Sequence, residues 1–350
     1  MHCRLIGRLF LFSTVFVFGQ LLCAQAAPVA APATPNQDPI ARAQSLLELG
    51  KTGEALALLK PLVSEQPPVK GVQHELGLIS YRTGKLEEAD KAFMAAIAEN
   101  PDDRESVQLE GLTLYRMGRP EAAIPFLERV RGWMPSANAD ATYVLGLCYL
   151  NARRYDDARA AFATQFDIAP DSPSANLLLA TMLRHANLPE LADEEAQRAL
   201  AKSPTLPLAH FMLGEIALLR SDIPAAIHEF EAERGVNADY APLYWRLGDA
   251  YLRVERLDDS QQALTRAIAL DTNLTGAFTL MGKLLLRKQD AQTAVMYLQH
   301  AEKMDPGDST VHYLLSQAYH HMGRDDDARR ESAAAAKIHA DSQLKLGPSN

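Results

Sequence analysis

Residues 139–172 read ADATYVLGLCYLNARRYDDARAAFATQFDIAPDS, and the order of small, aromatic and helix-breaking residues in them decides the fold. Two amphipathic stretches of helical period flank a short polar break near Asn151, which is a pair of helices joined by a turn. Gly146 lies in the first stretch, Ala158 follows twelve residues later in the second, and Pro170 closes the segment.

The same signature recurs along the chain. Pro67, Pro101 and Pro135 are 34 residues apart, Pro170 follows after 35, Pro204 after 34, and Pro306 after three further periods. Ala55, Ala89, Ala123, Ala158, Ala192, Ala226, Ala294 and Ala328 keep this register, with Ser260 in the one gap. Twelve residues before each stands another small residue: Ala43, Gly77, Gly111, Gly146, Ala180, Gly214, Gly248, Gly282 and Ser316. A fixed period of this length means stacked supersecondary units. A small residue facing an alanine lets two helix backbones approach. Gly50, Gly84, Gly118, Asn187 and Gly323 stand where the turn between helices belongs. Pro120, Pro173, Pro189, Pro207 and Pro224 stand at helix starts, where no amide donor is needed. Pro125 falls inside a second helix and is expected to bend it.

With Leu145-Gly146, Tyr149, Ala158, Phe162 and Pro170, and with Tyr244, Leu247-Gly248 and Tyr251, the chain resembles the tetratricopeptide repeat family. The resemblance implies an all-α fold, a right-handed α-solenoid superhelix of about nine helix-turn-helix units with a concave face. The units are expected at 36–69, 70–103, 104–137, 139–172, 173–206, 207–240, 241–274, 275–308 and 309–342, with Asn138 inserted. Ser332 stands where Phe or Leu would pack, so the ninth unit reads as a cap, and 343–350 as a disordered tail.

Residues 1–26 have the form of an export signal. Arg4 and Arg8 precede an apolar run from Leu9 to Phe18, and Ala24-Gln25-Ala26 gives a small-x-small cleavage site. The stretch is short for a membrane span and is broken by Ser13, Thr14, Gly19 and Gln20. A periplasmic or cell-envelope protein with no integral span after cleavage is expected. Residues 27–35 are Ala/Pro-rich and read as a tether. Beyond the signal only Cys148 remains, so no internal disulfide is expected. The chain carries a net charge of −9, and beyond residue 26 it has 33 basic against 44 acidic residues. That sign repels phosphate backbones, so nucleic acid is not an expected partner.

No catalytic constellation emerges. His74-Glu75 and His300-Ala301-Glu302 lack the second histidine of a zinc-protease helix. His300, His312, His320, His321 and His339 are read as surface and groove histidines, so no metal and no cofactor is expected. Asp325-Asp326-Asp327 suits a helix N-terminus. The sequence shows no glycine-rich phosphate loop and no nucleophile elbow, so an enzyme is not expected.

In the family resembled, the first helix of each unit lines the concave face. Carried over, the partner-binding groove includes His74, Tyr81, Tyr115, Tyr143, Phe211, Trp245 and Tyr313, with Leu78, Leu112, Leu147, Leu218 and Leu252 as floor. Arg82, Arg116, Arg253 and Arg287 recur at one position and form its edge. Ile40 and Gln44 occupy the slots where family members that clamp a terminal carboxylate carry Lys and Asn, so no such clamp is expected. A scaffold holding a protein or peptide partner is the leading expectation. A polysaccharide secretion or assembly factor is the alternative, because aromatic rings also stack on sugars.

Overall fold

A computed structural model describes residues 38–67, 69–133 and 139–346. The expected signal, the tether, Asn138 and residues 347–350 lie outside them. Among the described residues there are eighteen α-helices and no strand, and no helix is long and apolar enough to cross a membrane. The described residues divide into two compact bodies that part between Pro61 and Leu62.

The first body holds α1 (Pro39–Glu48) and most of α2 (Thr52–Leu62). Asp38 caps α1 by accepting the Ile40 N–H at 3.0 Å, and Pro39 stands in the first turn. Ala43, Leu47, Ala55 and Leu59 are its buried residues.

The second body continues as helix pairs: α3 (Val72–Arg82) with α4 (Leu86–Glu99), α5 (Arg104–Arg116) with α6 (Pro120–Trp133), and α7 (Ala139–Asn151) with α8 (Tyr155–Gln165). Then come α9 (Pro173–His185) with α10 (Pro189–Lys202), α11 (Ala209–Leu219) with α12 (Ile223–Val236), and α13 (Ala241–Arg253) with α14 (Leu257–Leu270). The last pairs are α15 (Thr275–Arg287) with α16 (Ala291–Met304), and α17 (Ser309–His321) with α18 (Asp325–Leu346). Each helix packs on its partner and on the next helix in the chain. Helix α6 runs through Pro125 without interruption, although the ring removes one ladder donor. Helix α18 runs on to Leu346, so residues 343–346 are helix rather than tail.

The small residues explain how each pair closes. Ser260, the exception in the alanine series, donates its Oγ–H to the Gly248 carbonyl at 2.7 Å, so the two positions twelve apart touch. A second contact sits over each glycine. A Cβ on Gly77, Gly146 or Gly214 would stand 2.4–2.5 Å from the ring of Phe93, Phe162 or Phe230, and on Gly111, Gly248 or Gly282 it would stand 2.4–2.7 Å from Leu127, Leu264 or Leu298. The partner lies sixteen residues on, in the second helix, and each of these side chains is at most 1% exposed.

Tyr149, Tyr251 and Tyr319 latch neighbouring units. Tyr149 donates to Glu128 of the preceding pair at 2.7 Å, and Arg154 lies 4.5 Å over its ring. Asp157 holds that guanidinium at 2.7 Å. Tyr251 with Arg256 and Asp259, and Tyr319 with Arg324 and Asp327, repeat the arrangement.

The turn inside each pair needs one left-handed residue. Gly50, Gly84, Gly118 and Gly323 supply it with φ from 72° to 75°. Arg153, Asn187, Ser221, Glu255 and Gln289 hold the same place with φ from 57° to 64°. A side chain there is strained. Gln289→Gly is therefore expected to stabilise by about 0.5–1 kcal/mol, the relieved strain outweighing the added freedom of the unfolded chain. Urea unfolding of the two proteins checks this.

Five neighbouring pairs of odd-numbered helices also touch, α3 with α5, α5 with α7, α9 with α11, α13 with α15 and α15 with α17. No pair of even-numbered helices among the described residues makes a comparable contact. Closer approach on one side curves the stack of the second body and puts the odd-numbered helices on its inner face.

Candidate functional site

The expected groove residues all sit on these inner helices, but they do different things. Phe211 is 6% exposed and packs on Phe230 and Tyr240 at 5.5 and 5.2 Å between ring centres. It is core and not groove. The reason lies behind it: the buried Glu233 accepts the Leu208 and Phe211 amides at 2.7 and 3.2 Å, drawing the start of α11 inward.

His74 is half-buried. Its Nδ1 lies 2.9 Å from both Asp103 Oδ2 and Ser106 Oγ, at the start of α5. It joins two units. Trp245 is also half-buried, against the backbone of Gly276 at the start of α15, with no hydrogen-bond partner for its buried Nε1 among the described residues. Arg246 stacks 4.3 Å over this indole while pairing with Glu215 of α11 at 2.6 Å. Tyr313 is exposed, its hydroxyl accepting from Gln317.

The arginine edge is largely spoken for. Arg116 lies 4.6 Å over the Tyr81 ring and donates to the Tyr81 carbonyl at 3.3 Å, tying α5 to α3. Arg253 pairs with Asp249 at 2.7 Å, one turn earlier on α13. Arg287 pairs with Glu255 in the turn of the preceding unit. Among the described residues Arg82 has no ion-pair partner and is exposed.

Three of the expected residues, Tyr115, Tyr143 and Leu147, do come together. Tyr115 and Tyr143 line a cleft of about 620 Å³ that spans α5, α7 and α9 and the turns that lead into α8 and α10. Leu147, Leu150 and Leu191 form its apolar walls, with Met182, Leu188 and Tyr155. Asn151, Arg153 and His185 supply its polar rim. The Tyr143 hydroxyl reaches Met182 Sδ at 3.7 Å, and Asn151 is fixed by its hydrogen bond to the Leu147 carbonyl at 2.9 Å. Burial raises the Tyr115 phenol, with Cys148 and Tyr143 adding to it. Burial and then the neighbouring Arg184 charge lower His185, which is neutral at pH 7. Apolar walls with a few polar groups suit a ligand side chain or ring. A smaller cleft of about 410 Å³ shares Arg153, Tyr155 and Leu191 and is lined by Asp156, Asp157, Glu194 and Arg198.

Sequence reasoning missed Tyr155, Met182, His185, Leu188 and Leu191. A signal was present. The position that holds Arg82, Arg116, Arg253 and Arg287 holds Asn151, His185 and Leu219 in between, and that break in the arginine series falls at the cleft. Cys148 is fully buried, and burial with the charge of Glu121 pushes its thiol up to about 12. It is a packed hydrophobe and not a thiolate.

Three tetratricopeptide repeat families match the chain, at residues 40–104 and 74–137, at 114–182 and 285–346, and at 241–274. The human protein O-mannosyl-transferase TMTC3 is 24% identical over 252 residues, covering 69% of this chain and 27% of that protein. The anaphase-promoting complex subunit cut9 of Schizosaccharomyces pombe is 25% identical over 173 residues, 47% of this chain and 26% of cut9. The chain thus spans about a quarter of the length of the curated relatives it matches. Among solved structures, YrrB, described as a TPR protein with an unusual peptide-binding site, has a TM-score of 0.45 at 20% identity, over 55% of this chain and 97% of its own. With the 34-residue period, the helix pairs and the family matches in agreement, the chain belongs to the tetratricopeptide repeat family.

Proposed function

We propose that this protein is a non-catalytic scaffold or adaptor of the cell envelope, exported by residues 1–26, that holds a protein or peptide partner on its inner helical face. The cleft between α5, α7 and α9 carries the reading. It is a place on that face where apolar walls, three tyrosines and a polar rim converge, the makeup of an anchor pocket for a partner side chain. The charge of −9 sets nucleic acid aside as the partner.

Leu147→Glu is the variant of choice. Leu147 is half-buried and faces the cleft, so the charge spoils the anchor without opening the core. Trp245 and Phe211 are poorer probes, since both pack inside the solenoid. The tagged native chain, cross-linked in cells and purified from the envelope fraction, is expected to bring down one protein that Leu147→Glu loses at unchanged melting temperature. A partner retained by Leu147→Glu removes the cleft from the account. The N-terminus of the purified chain tests export, which predicts Ala27 as the first residue.

The three tyrosines also favour the polysaccharide reading to a degree, because their rings can stack on sugars. Glycan-array binding lost on Tyr155→Ala, with no protein captured, moves that reading ahead.

A further inference from the structure

We infer that Glu302, His312 and Glu331 form a binding site for one divalent cation of the zinc class, at the joint of α16, α17 and α18. The three side chains come from three helices, and one ligand atom from each lies within 4.8 Å of the others. His312 is 7% exposed, which fixes its ring among these groups.

The hydrogen-bond inventory of the ring makes the argument. Nδ1 lies 2.7 Å from Glu331 Oε2, and Nε2 lies 3.3 Å from the Pro306 carbonyl. Both partners only accept, while a neutral imidazole has a single N–H. With Nε2–H donated to Pro306, the Nδ1 lone pair faces a carboxylate at hydrogen-bond distance, so the positive centre they call for is either a shared proton or a cation that parts the two groups. A backbone carbonyl holding the far nitrogen is the arrangement that orients a metal-ligating histidine.

A proton could fill that place, and the repeat itself shows what a simple pair looks like. His210 and Glu229 occupy the same two positions three units earlier, 2.8 Å apart, and Asn176 and Glu195 do so one unit before that, at 2.6 Å. Leu200 and Phe166 stand there where Glu302 stands here. One carboxylate therefore suffices for the pair. The second carboxylate, supplied by the neighbouring unit at this one joint, is what a cation requires and a proton does not. One imidazole nitrogen and two carboxylates are a zinc-type donor set, and half-exposed Glu302 leaves a fourth position open to water. The sequence-based reading placed His312 among surface and groove histidines, because its two acidic partners lie 10 and 19 residues away on other helices.

The inference is independent of what binds the inner face. It is tested on the full chain, stripped with EDTA and titrated with zinc chloride by calorimetry. The expected result is one Zn²⁺ per chain, with a melting temperature that rises with zinc. Glu302→Gln is expected to weaken binding by at least about tenfold, the cost known even for outer-shell partners. Because Glu302 is half-exposed, the metal-free variant should melt with the native chain, whereas His312→Ala would also disturb packing. His320→Ala/His321→Ala, which removes two exposed histidines nearby, should leave binding unchanged. No zinc binding, native affinity in Glu302→Gln, or binding lost only in the His320/His321 variant each overturns the site.

Discussion

Gly214→Leu is expected to destabilise the solenoid by at least about 3 kcal/mol, the upper end of the range for overpacking a closed core. The position has no slack. Even a Cβ would stand 2.4, 2.5 and 2.9 Å from three ring atoms of Phe230. That ring is fully buried and is also in contact with Phe211, on the same helix as Gly214, at 5.5 Å between ring centres. Neither α11 nor Phe230 can yield without opening the pair. In a stack where each unit touches only its neighbours, the damage should stay local. Hydrogen exchange should therefore rise in α11, α12 and the helices beside them, and urea unfolding should split into two steps. Gly235→Ala supplies the control within the same pair. Its Cβ would meet nothing within 4 Å in α12, so the change should stabilise by about 0.5–1 kcal/mol, the ordinary helix preference of Ala over Gly. A second control reverses the clash. Phe230→Ala alone should cost about 3–5 kcal/mol as a cavity, and the double variant should recover part of that loss. If Gly214→Leu unfolds with the native curve, the ring-over-glycine contact is not what sets the distance between paired helices.

This contact also shows how far the sequence carries. The 34-residue period, the paired helices and the turns at Gly50, Gly84, Gly118, Asn187 and Gly323 were legible, because Gly, Pro, Asn and Ala mark them for backbone reasons, whereas the left-handed Arg153, Ser221, Glu255 and Gln289 carry no such mark. The residue sixteen positions on was legible as part of the repeat pattern, at Phe162 and at Ser332 where Phe or Leu would pack, but its closure over the glycine was not, since that contact joins two different helices. The groove was legible as a set of helices but not as a set of side chains. His74, Tyr143, Phe211, Trp245 and Tyr313 share one repeat position. Yet the first braces a junction, the third is core, and the last is exposed. What separates them is how the next unit meets each ring, as with Asp103 beside His74 or Gly276 beneath Trp245. Periodicity names the face, while depth is fixed by neighbours about 30 residues away. The arginines teach the same lesson. An edge of recurring charge reads as a binding surface, but Arg116, Arg253 and Arg287 are engaged within the chain.

The buried acid Glu110 leads to the second large effect, a gain in stability from Glu110→Gln that grows with pH. Helical pattern would place an acid on a solvated face, but Glu110 in α5 is 1% exposed. Burial, then the charge of Asp90 on α4 and a hydrogen bond to it, push its carboxyl up to about 8, against a smaller opposing pull from Arg119. Arg119 itself stands 3.7 Å from Asp90. At neutral pH the folded chain thus keeps a proton on Glu110 and donates it to Asp90. The unfolded chain gives that proton up near 4.5. Between about 4.5 and 8 the folded state binds more protons than the unfolded one, so this group's contribution to stability falls as pH rises through that window and levels off above it. Glutamine keeps the shape and the donor but cannot ionise. The variant should match the native chain near pH 4.5 and exceed it by a few kcal/mol at pH 9, at about 1.4 kcal/mol for each pH unit in between. Comparing urea unfolding of the two proteins at pH 5, 7 and 9 isolates Glu110 from the other buried acids, which both chains share. A difference that stays flat across the three values would mean that Glu110 is ionised in the folded chain, and that Arg119 rather than a shared proton reconciles it with Asp90.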